Sequence, residues 1–190
     1  METVLHVPAP SIDDANLTER FRAGDEAAFE EIVTRHRRAV YLMALRLLAR
    51  HEDADEATQV AFVRAWSGRG QFRGDSSIRT WLIRIGLNVA KNMRSGRRPT
   101  EAPEVLERMA DRSEGSEERL RRHELKRRVR RSVSELPPRQ REAVLLKVFS
   151  ELTYREVAQV MDLSEGAVKA HLHQAVSNLR RWFADRAEKG

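Results

Sequence analysis

Residues 95–118 read SGRRPTEAPEVLERMADRSEGSEE, and no long regular helix or strand can run unbroken through them. Pro99 and Pro103 each lack an N–H and fix their own φ, Gly96 and Gly115 loosen the backbone, and seven of the other 20 residues are acidic. On both sides of this stretch, apolar residues recur at helical spacing. The pattern predicts two folded units and a linker between them, with at most a weak helix at 105–109 inside it.

Within the two flanking blocks there is no alternating apolar run bounded by turn signals, so strands are not expected. Ala, Arg, Glu and Leu recur throughout, aromatics are 6% of the chain, and nine Gly and six Pro are spread over 190 residues. The expected fold class is all-α: two small helical domains, a helical bundle and a helix-turn-helix domain, joined by a flexible acidic linker. The expected boundaries are a loose arm at 1–16, a first domain at 17–97, the linker at 98–117 and a second domain at 118–185.

Cysteine is absent, which excludes disulfides and Cys-ligated zinc. The first residues show neither a basic flank nor an apolar core of a signal peptide, and no apolar run approaches the ~20 residues a membrane span needs. A cytoplasmic location with no membrane insertion of its own is therefore expected.

The net charge of +6 is unevenly spread. Residues 1–100 carry 16 basic and 13 acidic side chains, residues 101–118 two and seven, and residues 119–190 17 and nine. Basic blocks around an acidic connector suit a polyanionic partner such as nucleic acid, or an Arg-rich solvated surface.

In the first block a short helix is expected from Leu17 to Ala23, ending at Gly24. Asp25 is a good N-cap for a long amphipathic helix through Leu48. Asp53, with Glu56 three residues on, suggests a capping box starting the next helix, which reaches Trp66. Ser76 or Ser77 is expected to cap a helix ending near Ser95, with Ile78, Trp81, Leu82, Ile85, Val89 and Met93 as its apolar stripe. Thr80, Arg84, Asn88, Lys91 and Ser95 fall on another side at about 100° per residue. Ile83 and Leu87 lie outside that stripe, which calls for a second covering surface.

In the second block, helical pattern runs from Glu118 to Val133 and restarts at Pro138, where a missing N–H costs nothing. Thr153 and Glu156 form another candidate capping box, followed by a short helix from Tyr154 to Met161. After a turn at Asp162, Ser164 caps a last helix with Val168, Leu172, Ala175, Leu179 and Trp182 inward. Short helix, tight turn, longer helix with a polar outer face is the helix-turn-helix arrangement. Ala158 permits close approach, while Leu163 and Val168 fill the angle. Lys169, His173 and Gln174 can then reach bases or phosphates in a major groove about 12 Å wide, and Arg155, Arg180 and Arg181 can hold phosphates.

These residues carry a resemblance. LPPRQREAVLLKVFSELTYREVAQVMDLSEGAVKAHLHQA resembles the promoter −35 reading domain of bacterial sigma factors. DADEATQVAFVRAW and FRGDSSIRTWLIRIGLNVAKNMRSGRR resemble the domain that binds polymerase and the −10 element. Together, over about residues 17–95 and 118–183, they resemble the extracytoplasmic-function (ECF) group of the sigma-70 family.

The resemblance implies a promoter-specificity subunit without catalysis, metal or cofactor. Its partners would be core RNA polymerase (the β′ clamp helices and the β flap), promoter DNA and an anti-sigma factor. Asp53, Glu56, Gln59 and Arg64 would contact polymerase, although the family's acidic residue after the Gln is Val60 here. Phe72, Asp75, Ser76 and Ser77 would hold a flipped −10 base, supported by Arg79, Arg84, Asn88, Lys91 and Asn92. Arg155, Ser164, Lys169, Ala170, His173 and Gln174 would engage the −35 element. Ala170, His171 and Gln174 depart from the family's usual Ser and Arg residues, so base preference should differ. The linker acids Glu101, Glu104, Glu107, Asp111 and Glu114 would occupy the RNA channel or be simply solvated.

Bland readings stand beside these. Phe62, Trp66 and Trp81 fit a core, and Ser76 and Ser77 fit helix caps. Two other functions share the helix-turn-helix: a stand-alone transcriptional regulator, and a sigma mimic that titrates a regulator. An enzyme is the weakest reading, since His171 and His173 are two apart on a helix and cannot share a metal there.

Overall fold

Asp25 starts the longest run of the first unit, and it does so as a true cap. Its side chain accepts a hydrogen bond from the Ala28 N–H at 3.1 Å, and Arg20 grips the same carboxylate at 2.7 Å. Those hydrogen bonds, Arg20's first, hold the Asp25 carboxyl below its usual pKa. The computed structural model describes residues 12–95 and 116–187, and these form two compact units.

The first unit comprises α1 (Ile12–Arg22), α2 (Glu26–Leu48), α3 (His51–Ser67), a 3-10 turn (Arg69–Gln71) and α4 (Ile78–Ser95). Helix α1 begins at Ile12, five residues before the expected Leu17, so it takes in the end of the expected arm. Helix α3 corrects a second expectation. It starts at His51, with extended Arg50 in the cap position and no side-chain cap. Left-handed Ala49, at φ 63°, ends α2 so sharply that the next helix begins at once. Asp53 therefore lies inside the first turn, 7% exposed, and forms no capping box with Glu56.

Helix α3 buries Ala54, Ala57, Ala61 and Ala65. These small side chains let it nest closely beside α2 and α4. Gly86 does the same for α4: a Cβ there would stand 2.7 Å from Val40 Cγ1. Because α4 packs against both α2 and α3, its buried sector is wider than one stripe. Ile83 and Leu87 are buried, while Trp81, Ile85 and Met93 are half-buried. The second surface expected for Ile83 and Leu87 is thus supplied by the unit's own helices. Thr80, expected on the polar side, is buried and hydrogen-bonded to Ser77 at 2.8 Å. An aromatic cluster closes one end: Trp66 lies 4.8 Å from Phe29 and 6.2 Å from Phe21, and Trp81 lies 5.0 Å from Phe72.

The second unit comprises α5 (Ser116–Ser134), α6 (Pro138–Val144) extended by a π-helical turn (Leu145–Phe149), α7 (Tyr154–Met161) and α8 (Glu165–Ala187). Pro138 occupies the first turn of α6 as expected. The Arg141 guanidinium then satisfies the carbonyls of Ser134 and Leu136, at 2.6 and 2.9 Å. The π-helical turn closes with Ser150 N–H donating to the Leu145 carbonyl at 3.0 Å. Leu145, Leu146, Leu152, Val157 and Val168 form the core between α6, α7 and α8. The expected helix at 105–109 lies outside the described residues, as does nearly all of the linker expected at 98–117. Every regular element among the described residues is helical.

Candidate nucleic-acid and polymerase interface

The helix-turn-helix is built by two caps and one left-handed residue. Thr153 and Glu156 make the full capping box of α7: Glu156 N–H donates to Thr153 Oγ1 at 3.2 Å, and Thr153 N–H to Glu156 Oε2 at 2.8 Å. Asp162 takes φ 57°, ψ 53°, a conformation its short polar side chain tolerates. Leu163 N–H then bonds back to the Ala158 carbonyl at 3.0 Å. Ser164 caps α8 through the Ala167 N–H at 3.2 Å. Ala158 and Val168 are buried at the crossing and Leu163 is half-buried, which fixes the angle at which α8 leaves the turn.

Outward from that frame, Arg155, Ser164, Lys169, Ala170, His173 and Gln174 are all exposed. Ser164 already spends its hydroxyl oxygen as a cap. Gln174 is tied sideways, its Oε1 accepting from Gln140 Nε2 at 3.4 Å, so it stands at the edge adjoining α6. Two neighbours were missed in the sequence. Tyr154 is 39% exposed and has two ammoniums over its ring, Lys147 at 4.9 Å and Lys169 at 5.4 Å. By helical spacing Tyr154 falls on the same face as buried Val157, Ala158 and Met161, so periodicity alone assigns it to the core; it is exposed because it stands in the first turn of α7. Lys147 gave no signal either: it is a half-buried residue within an apolar run, its ammonium donating to the Leu152 carbonyl at 3.0 Å.

In the first unit, Phe72 is only 3% exposed and packs on Trp81. That corrects its expected place in a base pocket: it is a core residue beneath the loop. After it, Arg73, Gly74 and Asp75 are exposed, with Gly74 at φ +82°. Ser77 is the α4 cap, accepting from the Thr80 N–H at 3.1 Å. Ser76 is half-exposed beside it. On the outer face of α4, Arg84, Asn88 and Asn92 are exposed and Lys91 half-exposed, whereas Arg79, half-exposed in the first turn, lies on the opposite side of the helix. Arg84 to Asn92 spans about 12 Å of cationic and amide surface running from the loop.

Along α3, Glu56, Gln59 and Arg64 are exposed and Asp53 is not. Between them Val63 is 65% exposed and Val60 half-exposed. Glu56, Gln59, Val60 and Val63 share one face at i, i+3, i+4 and i+7, mixing polar and apolar contact. Among the described residues, no group of three or more His, Asp or Glu side chains is placed to hold a metal ion. No helix there is long and apolar enough to cross a membrane.

Comparison with known proteins decides what carries these surfaces. Residues 32–100 match the family Sigma-70 region 2, and residues 126–179 match Sigma-70, region 4. The chain is 32% identical over 173 residues to the RNA polymerase sigma-H factor of Pseudomonas aeruginosa, covering 85% of this chain and 89% of that one. The chain belongs to the ECF group of the sigma-70 family. The ECF RNA polymerase sigma-E factor of Escherichia coli K12 is 33% identical over 174 residues, covering 86% and 91%. A solved structure of CnrH in complex with the cytosolic domain of CnrY superposes with a TM-score of 0.71 at 27% identity, covering 90% of this chain and 97% of that one. RpoE in complex with the anti-sigma factor NepR from Bartonella quintana shares the fold, with a TM-score of 0.63 at 18% identity, covering 82% and 96%. As a sigma factor, the chain has core RNA polymerase and promoter DNA as its partners. Region 2 contains most of α2, all of α3, the loop and α4. Region 4 contains the helix-turn-helix.

Proposed function

We propose that this sigma factor divides promoter recognition between its units. The second unit reads the −35 element through Lys169, Ala170 and His173, with Arg155, Lys147 and Tyr154 on phosphates. The first unit captures an unstacked −10 base above Phe72 with Asp75, Ser76 and Ser77. The outer face of α4, from Arg84 through Asn88, Lys91 and Asn92, holds the single strand. Helix α3 docks on polymerase with Glu56, Gln59, Val63 and Arg64, while Asp53 supports that face from within.

The observation that carries this reading is the capped, exposed α8 face in a chain matched by both sigma regions. A stand-alone regulator would leave the α3 face without a task. Gln174 steadies the reading helix through Gln140 rather than choosing a base. The polymerase supplies all chemistry, so the chain itself is not an enzyme, and it works in the cytoplasm.

An anti-sigma factor is the further partner. The support is the solved complex of CnrH with a cytosolic domain. Transcription from a genomic fragment library by core polymerase, with and without the purified chain, tests the whole reading. New start sites sharing one −35/−10 pair are expected. Unchanged start sites, with the chain failing to co-elute with polymerase, would refute it.

A further inference from the structure

Helix α5 holds eight Lys and Arg against three Glu in 19 residues, and the −35 reading assigns none of them a role. Only its last turn is packed: Ser132 and Val133 are buried, whereas the described positions from 118 to 127 are exposed apart from half-buried His123. Its attachment to α8 is at that same end, where Glu135 accepts from Trp182 Nε1 at 2.7 Å and Arg128 covers the Phe183 ring at 5.6 Å. Lys126, Arg127 and Arg130 share a sector of about 100° around the helix axis. Lys126 and Arg127 are exposed and Arg130 half-exposed. Holding like charges together on a solvated helix is unfavourable without a polyanion, since such pairs destabilise a helix by about as much as opposite pairs stabilise it.

We propose that this sector is a second nucleic-acid contact whose ligand is the phosphate backbone of duplex DNA, bound without regard to sequence. Charge complementarity selects the polyanion. Duplex is favoured over single strand because single strands are held by aromatic platforms beside cations, and α5 contains no Phe, Tyr or Trp. The contact lies outside the helix-turn-helix and needs neither polymerase nor a promoter.

The test titrates the full chain against a fluorescent duplex of arbitrary sequence by anisotropy, over salt from about 50 to about 200 mM. Lys126→Gln/Arg127→Gln/Arg130→Gln is expected to reduce the slope of log K against log salt by about three, roughly 0.9 for each phosphate no longer neutralised. Lys126→Arg/Arg127→Lys/Arg130→Lys keeps the charges and is expected to keep the slope. If the triple Gln variant loses helicity, Lys126→Gln and Arg127→Gln singly carry the test, each lowering the slope by about one. An unchanged slope in these Gln variants, with a smaller slope in Lys169→Gln alone, would overturn the proposal. So would tighter binding of a single strand than of the duplex by the wild type.

Discussion

Glu151 holds a left-handed backbone, φ 56°, two residues after the π-helical turn. A side chain with a Cβ costs about 1–2 kcal/mol there, part of which glycine would give back as unfolded-state freedom. Glu151→Gly is therefore expected to stabilise the second unit by roughly 0.5–1 kcal/mol, read as a higher urea midpoint at constant m-value. Gly86 is the opposite case. Its missing Cβ makes room for fully buried Val40, so Gly86→Ala should destabilise by about 1–2 kcal/mol despite alanine's better helix propensity. Asp25 supplies a pH dependence. Its folded pKa lies below the ordinary 3.8, so its stabilisation is complete above that value and is lost as pH falls through the folded pKa. Asp25→Asn should flatten this acid-range decline in thermal melts, while melting lower than the wild type near neutral pH. Of these three residues only Asp25 was legible in the sequence, because a cap acts on neighbours within its own turn. Glu151 and Gly86 depend on which helix or turn arrives beside them.

Caps and periodicity made the helix-turn-helix readable to the residue: Thr153, Glu156, Asp162 and Ser164 act where their chemistry places them. The start of α3 and the face of α4 were not so readable. Asp53 looks like a cap, but left-handed Ala49 pre-empts it, and two neighbours rather than one widen the buried sector of α4. Phe72 was misplaced for a related reason: an aromatic in a loop sequence gives no sign that another ring, Trp81, waits beneath it. The α7 capping box offers a test at this scale. Thr153→Ala removes the acceptor for the Glu156 N–H and should cost about 1 kcal/mol of stability. Because Tyr154 starts at that same turn and Lys169 packs over its ring, affinity for a −35 duplex should fall as well, while core-polymerase binding stays. Surface plasmon resonance on both ligands separates the two effects.

For the molecule as a whole, the proposed division of promoter recognition gives its surfaces separable tasks. The α3 face combines Gln59 and exposed Val63, a mixture suited to a protein partner, whereas the α8 face leads with Lys169 and His173 and carries its exposed valine, Val176, farther along the helix. Gln59→Ala/Val63→Ala in the full chain should weaken capture of core polymerase by about tenfold or more, equivalent to roughly 1.4 kcal/mol, and leave duplex binding unchanged. Lys169→Ala/His173→Ala should leave capture intact and weaken −35 recognition by about 1–3 kcal/mol for each base left unread. Run-off transcription then distinguishes them. Raising the concentration of the α3 variant should restore initiation at the same start sites, since its fault is assembly. Raising the α8 variant should not restore −35-dependent sites, because every holoenzyme it forms is equally blind to them. If both variants fail at the same step, the two faces form one interface and the division of labour argued from their chemistry is wrong.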